Sequence, residues 1–190
     1  FVNQHFGGTS TLSVILESSS EDTLKNPEVL RIVERIQTDL ETLEGVGNTF
    51  SLADYLRRMN KVMHSDDPAY QRIPDSRELV AQYLLLYEMS GDPENLWRVV
   101  DYEYRKGNLT VQLKSDDSRT IRSALAVIER YTEELQALGV EVNYAGSGYK
   151  SLVFTELILQ GQISSLLLSL VIVVILISAM FRNIRIGLIG

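Results

Sequence analysis

The chain contains no cysteine, and this absence excludes several kinds of site. Without thiols there is no disulfide framework, no thiol nucleophile and no thiolate metal centre. Histidine is nearly as rare, because only His5 and His64 occur and they lie far apart in the sequence. Metal sites need several ligating side chains held together, and a catalytic triad needs a histidine beside a nucleophile and a carboxylate. We therefore expect no catalytic residues, no metal and no cofactor, and we expect that the chain is not an enzyme.

A surplus of basic residues is also lacking. The chain has 18 lysines and arginines against 25 aspartates and glutamates, which gives a formal net charge of −7. Beyond residue 150 only Glu156, Arg182 and Arg185 are charged, so the acidic surplus belongs to residues 1–150. This charge argues against a nucleic-acid partner and against a polybasic face for anionic lipid headgroups.

Charge disappears altogether near the C-terminus. Residues 157–181 carry no charged side chain, and residues 163–181 are apolar except for four serines. As a helix, residues 163–181 would span about 28 Å, close to the roughly 30 Å hydrocarbon core of a bilayer. We predict a transmembrane helix over residues 163–181; the alternative is a buried core helix of a soluble protein.

Arg182 and Arg185 follow this run directly and are predicted to mark the membrane boundary. The positive-inside tendency places them in the cytoplasm. Residues 1–150 would then lie on the periplasmic or extracellular side of the inner (plasma) membrane. Because the apolar letters "IGLIG" come next, residues 182–190 are predicted to be a cytoplasmic turn and the start of a further span.

The first fifty residues predict a strand, a helix and a second strand. The stretch "TLSVILE" (11–17) is apolar and β-branched, as is typical of a central strand. Asn26, Pro27 and Glu28 form a strong helix start, with Asn as the N-cap and Pro in the first turn. "VGNTFS" then indicates a short second strand.

The second half of the domain repeats this order. "NLTVQLKS" (108–115) alternates apolar and polar residues, as a half-buried strand does. Ser118 is expected to cap one long helix that Gly139 ends, and "VEVNYAGS" predicts the last strand. The order β-α-β, β-α-β predicts an α+β fold of the ferredoxin-like, split βαβ type, with an antiparallel sheet.

Between the two halves lies a helical insertion, predicted over about residues 51–100. Ser51 with Asp54, and Asp75 with Glu78, have the spacing of capping boxes at helix starts. The insertion is rich in aromatic residues and methionine, which suit an adaptable surface for a hydrophobic ligand. The alternative is that these side chains pack the core, and the two interpretations are compatible. The candidate surface consists of Tyr55, Met59, Met63, Tyr83, Tyr87 and Trp97.

The extracytoplasmic domain is thus predicted over residues 1–148, followed by an amphipathic connecting helix over residues 149–162 that continues into the span. At their border "AGSGYKS" (145–151) follows a strand and opens a helix, the context of a phosphate-binding loop. Its glycine and lysine spacing does not match such a loop. A glycine hinge between the domain and the membrane helix is the favoured interpretation.

Four stretches resemble the resistance-nodulation-division (RND) superfamily, in particular the group of hydrophobe/amphiphile-efflux-3, MmpL-like and hopanoid-transporter proteins. They are "FVNQHFGGTSTLSVILES", "SLADYLRRMNKVMH", "IPDSRELVAQYLLLYEMSGDP" and "SLLLSLVIVVILISAMFRNIRIGLIG". The resemblance implies a proton-driven, twelve-span exporter with two large extramembrane loops that contain ferredoxin-like porter subdomains. The chain would be most of one loop, with similarity closer to the second, and the membrane helix after it.

The resemblance further implies efflux or lipid transport, with hydrophobic or amphiphilic substrates such as lipids, hopanoids or drug-like molecules. The partners would be the bilayer, the remainder of the transporter and, in a homo-oligomer, further copies. Its proton-coupling residues would lie in other membrane helices. The alternative function is an extracytoplasmic ligand-sensing or assembly module anchored by a membrane helix.

Overall fold

The computed structural model describes residues 10–90, 93–115 and 117–180. Over these residues the chain is a mixed α+β protein with four strands and seven α-helices, the last of them long and apolar. The strands are β1 (Ser10–Glu17), β2 (Val46–Phe50), β3 (Lys106–Leu113) and β4 (Glu141–Ala145). The helices are α1 (Pro27–Glu41), α2 (Leu52–Met63), α3 (Arg77–Ser90), α4 (Pro93–Leu96), α5 (Ser118–Glu129), α6 (Thr132–Ala137) and α7 (Ser147–Met180). Two short 3₁₀ helices lie at Thr23–Lys25 and Pro68–Tyr70.

The strands form one antiparallel sheet in the order β2-β3-β1-β4. Strand β1 is paired on both sides: with β3 along its whole length, and with β4 from Glu17–Glu141 to Ser13–Ala145. Strand β3 lies between β1 and β2, which are connected through α1. In each β-α-β unit, the two strands are therefore separated by one strand of the other unit.

Alternation along the strands places one face of the sheet in the core. Leu12 and Val14 of β1 and Leu109 and Val111 of β3 are fully buried, whereas the residues between them are partly exposed. Helices α1 and α5 each bury one apolar stripe at helical spacing and contact each other. Each such buried aliphatic side chain contributes about 1.5–3 kcal/mol relative to an exposed one.

Two of the predicted helix starts are confirmed. Asn26 accepts a hydrogen bond from the backbone N–H of Glu28, with Pro27 in the first turn of α1. Ser51 and Asp54 form the predicted capping box of α2. The Asp54 carboxylate accepts the Ser51 N–H at 2.9 Å, and the Ser51 hydroxyl accepts the Ala53 N–H at 3.1 Å.

Two other predicted caps are displaced by one residue. The side chain of Asp117, not Ser118, accepts the N–H groups at the start of α5. Similarly, the Ser76 hydroxyl accepts the Leu79 N–H at 3.2 Å, while Asp75 pairs with two arginines instead. Adjacent capping residues cannot be ranked by spacing alone, because either one satisfies the first free N–H groups.

The single long helix predicted after residue 118 is wrong, because it is divided into α5 and α6. At the break the Tyr131 N–H bonds to the Ile128 carbonyl, three residues back, as in a 3₁₀ turn rather than an α-helix. Tyr131 donates its hydroxyl to Asp39 of α1 at 2.8 Å, and Arg130 pairs with the same carboxylate at 3.2 Å. These contacts with α1 occur at the break between α5 and α6.

The region between β2 and β3 contains α2, α3, α4 and a 3₁₀ turn, and no strand within residues 51–90 and 93–99. Helix α2 contacts both α3 and strand β3. Val100, which precedes β3, forms an isolated bridge to Gly107 within that strand. This region carries all six residues of the predicted hydrophobic surface.

Helix α7 runs without a break from Ser147 to Met180. Residues 147–178 are long and apolar enough to cross a membrane, and none of the most apolar stretch is buried. This exposure favours a membrane span over the core helix of a soluble protein. The chain divides into two compact units, residues 1–150 and residues 151–190. The boundary arginines Arg182 and Arg185, like His5, lie outside the described residues.

We predict that Asp117 makes stability depend on acidic pH. Its carboxylate accepts hydrogen bonds from the backbone N–H and the hydroxyl of Thr120, which lower the pKa of Asp117 from 3.8 to about 2. A lowered pKa in the folded state gives stability that is complete above about pH 4 and disappears as the pH falls towards 2. Asp117→Ala should lower Tm at pH 7 by roughly 2–4 °C in thermal circular dichroism.

Asp117→Asn is the matched control for charge, because asparagine is an equally good N-cap. Its deficit in Tm relative to the parent chain should shrink between pH 4 and pH 2. A deficit that does not change over this range would contradict the assigned pKa.

Candidate functional site: an aromatic ladder beside a polar sheet face

Two of the six predicted surface residues, Tyr55 and Tyr87, come together across helices α2 and α3. Their ring centroids lie 5.4 Å apart in an edge-to-face arrangement. Phe50, at the end of β2, packs against Tyr55 in the same way at 5.3 Å. Edge-to-face pairs add about 0.5–1.5 kcal/mol beyond their buried area. We call Phe50, Tyr55 and Tyr87 the aromatic ladder.

Phe50 was not among the predicted surface residues, although the sequence contains a signal for it. Ser51 is the N-cap of α2, so Phe50 precedes the cap and Tyr55 is the fourth helical residue. Apolar residues at these two positions pack together as a hydrophobic staple. The staple holds the Phe50 ring against the helix while leaving 41% of the residue exposed.

The aromatic ladder begins on the face of the sheet that is turned away from the core. On this face Thr11 lies opposite Gln112 and Ser13 opposite Thr110, and all four are partly exposed. Phe50 lies opposite Thr110, so its ring is on the same face, at the edge strand. We call the four residues Thr11, Ser13, Thr110 and Gln112 the polar sheet face. Hydroxyl and amide groups and an aromatic surface therefore adjoin.

Tyr83, another predicted surface residue, belongs to the core. It is 6% exposed and donates its hydroxyl to the Asn60 side chain at 3.1 Å. Asn60 in turn donates to the Arg72 carbonyl at 3.0 Å, which ties the loop after α2 to both helices. Burial raises the pKa of Tyr83. Its position agrees with the core-packing alternative.

The two methionines of the predicted surface lie on α2. Met59 is half-buried, whereas Met63 is 52% exposed. On α3, exposed apolar side chains occur that the prediction did not include: Leu85, Leu86 and Met89. Leu85 and Met89 are one helical turn apart on the outward side of α3. The insertion thus exposes more apolar surface than its aromatic residues alone.

Trp97 lies in a second aromatic group rather than in the aromatic ladder. Its ring centroid is 5.3 Å from that of Tyr102 and 6.4 Å from that of Tyr104. Tyr104 is 4% exposed, donates its hydroxyl to the Glu88 carboxylate, and has the Lys25 ammonium 4.1 Å above its ring. Burial, together with the bond to Glu88, strongly raises the pKa of Tyr104. This group joins α3 to the loop before β3.

His64 and the lysine of "AGSGYKS" each contact neighbouring groups of the fold. The His64 ring stacks on Tyr70 with a centroid distance of 3.6 Å, and its Nδ1 lies 2.7 Å from the Asn60 carbonyl. Within the described residues no group of three or more metal-ligating side chains occurs. The lysine of "AGSGYKS", Lys150, lies in the first turn of α7, where its N–H bonds to the Gly146 carbonyl.

Comparisons of the chain with models of protein families, with curated proteins and with solved structures found no match.

We predict that Tyr104→Phe destabilises the domain, because it leaves the partly buried Glu88 carboxylate without its hydroxyl donor. Loss of a hydrogen bond to a charged group should lower the free energy of unfolding by about 1.5–3 kcal/mol. Urea unfolding in mild detergent, followed through the fluorescence of the single tryptophan, Trp97, measures it.

Tyr102→Phe is the matched control, since Tyr102 neighbours the same tryptophan but is 79% exposed. Its effect should stay within about 0.5 kcal/mol. Equal effects of the two substitutions would show that the Glu88 contact does not stabilise the fold.

Proposed function

We propose that the chain is the extracytoplasmic porter part of an RND-type, proton-driven exporter of hydrophobic or amphiphilic molecules, together with one of its membrane helices. The observation that carries the proposal is the aromatic ladder: it begins on the polar sheet face, in a domain whose chain continues into an apolar helix of membrane-spanning length. An amphiphile needs such adjoining polar and apolar surfaces.

The sheet supports a ferredoxin-like assignment for this domain. Two β-α-β units whose strands interleave in an antiparallel sheet are what the split βαβ arrangement requires. The strand order β2-β3-β1-β4 has β3 inserted between β1 and β2 and has β4 at the outer side of β1. The helical region between β2 and β3 is then an insertion between the two halves.

The proposed ligand would lie with its polar group on the sheet and its apolar part on the ladder. Amide and hydroxyl groups of the polar sheet face can form hydrogen bonds with head groups that donate and with head groups that accept. The partly exposed Phe50 ring offers apolar area, at about 25 cal/mol per Å² removed from water. The acidic surplus of the chain disfavours anionic head groups at long range.

In the proposed mechanism the domain alternates between a conformation that accepts the amphiphile from the membrane and one that releases it outside. Residues 1–150 would lie on the periplasmic or extracellular side, and α7 would be one span among several. Proton coupling would depend on ionisable residues of other spans, because residues 157–180 of α7 carry none. No step of the proposal needs catalysis, a metal or a cofactor.

We predict that Phe50→Ala weakens amphiphile binding while leaving the fold intact. Phe50 is on an edge strand and partly exposed, so its loss removes ligand contact more than core packing. The Kd for octyl glucoside below its micellar concentration should rise about fivefold, equivalent to roughly 1 kcal/mol of lost contact. Calorimetric titration of the chain in lipid nanodiscs, corrected with empty nanodiscs, measures this change.

Tyr102→Ala serves as the control for this titration, because it removes an exposed aromatic ring outside the ladder. The control should keep the parent Kd. If both substitutions weaken binding equally, or the parent chain binds no amphiphile, the assigned surface is wrong.

The transport class itself is tested with the complete reading frame that contains this chain. Membrane vesicles that carry the protein should move a fluorescent amphiphile only while a proton gradient is present, and an uncoupler should stop the movement. Amphiphile binding without gradient-dependent movement would overturn the exporter proposal and favour the sensing or assembly module.

A further inference from the structure

The connection between β4 and α7, which we call the junction, is Gly146-Ser147-Gly148. The β1–β4 ladder ends at Ser13–Ala145. Beyond it, the Ser147 hydroxyl lies 3.1 Å from the backbone N–H of Thr11, 3.3 Å from the Ser10 hydroxyl oxygen and 3.4 Å from that of Thr11. The side chain of the first α7 residue therefore continues the ladder in place of a backbone acceptor.

Both glycines of the junction are needed for close approach rather than for free rotation. Gly146 has φ of +99°, and a Cβ there would lie 2.5 Å from the Thr11 carbonyl oxygen. A Cβ on Gly148 would lie 3.0 Å from a Leu113 methyl group and 3.3 Å from the same carbonyl. A hinge, as predicted from the sequence, would need open space around it. The junction is a tight attachment of the start of α7 to the start of β1.

This attachment joins the start of strand β1 to the start of helix α7. Strand β1 is paired on both sides and carries part of the buried core. Helix α7 continues from the junction to Met180 without a break in its helical structure. A displacement of the helix start must therefore either move the start of β1 or break the Ser147 contacts.

We propose that the junction transmits the position of α7 in the bilayer to strand β1, so that the sheet responds to the thickness of the surrounding membrane. A span whose apolar length differs from the hydrocarbon thickness tilts or shifts to compensate. The proposal rests on the membrane placement of α7 given above, but not on transport. Ser147 is a positioning residue in it, since it touches only the protein itself.

The test is amide hydrogen exchange of the chain in nanodiscs of short-chain and long-chain phosphatidylcholine, which differ in hydrocarbon thickness by about 6 Å. In the parent chain, exchange over residues 10–13 should differ at least about threefold between the two bilayers, while exchange over α5 stays constant. Ser147→Ala should speed exchange of the Thr11 amide about fivefold in both bilayers, because that N–H loses its acceptor. The dependence on thickness should then be lost.

Two further variants keep the result unambiguous. Gly146→Ala should also abolish the thickness dependence, because the new Cβ pushes the helix start away from Thr11. Gly161→Ala changes the same helix at a position where a Cβ meets nothing within 4 Å, and it should behave like the parent chain. If the parent chain shows no thickness dependence, or Ser147→Ala keeps it, the proposal is overturned.

Failure of this proposal is separable from failure of the proposed function. An exporter whose β1 exchange ignores bilayer thickness would overturn only the role of the junction. A chain with the expected thickness dependence in a protein that exports no amphiphile would overturn only the exporter assignment.

Discussion

The rest of the structure depends on the two-sided pairing of strand β1. Its backbone bonds to β3 along eight residues and to β4 along five, which sets the order β3-β1-β4, and β3 pairs with β2 on its other side. Its buried apolar residues lie in the core, and Thr11 and Ser13 lie on the polar sheet face. Because side chains alternate along a strand, one register determines both surfaces at once, and a slip by one residue would exchange them.

A buried polar network connects the helical region to this framework. Gln37 of α1 donates to Thr49 of β2 at 3.1 Å and to Asp54 of α2 at 2.7 Å, and it accepts from Ser51 at 2.9 Å. Gln37 is 5% exposed, so each lost bond would leave a polar group unpaired in the interior. The network therefore fixes where α2 starts, and with it the position of Tyr55 beside Phe50.

Adjoining polar and apolar surfaces are the feature that gives the fold its proposed use. Either surface alone is common on proteins, since a partly exposed antiparallel sheet and scattered apolar side chains occur in many domains. Here the residue that ends β2 lies on the polar face and is also the first ring of the aromatic ladder. The chain then continues into a helix that is long and apolar enough to cross a membrane.

The sequence determined the features that follow from local periodicity and local hydrogen bonding. A β-branched apolar run predicted β1, alternation predicted β3, and Asn26 and Ser51 marked their helix starts, because caps act within one turn. Features that depend on distant residues required the tertiary structure. Three such features each result from contact with an element elsewhere in the chain. They are the burial of Tyr83, the break before Thr132 and the close packing of the junction at Gly146. Periodicity shows which residues share a face, but only packing decides what that face meets.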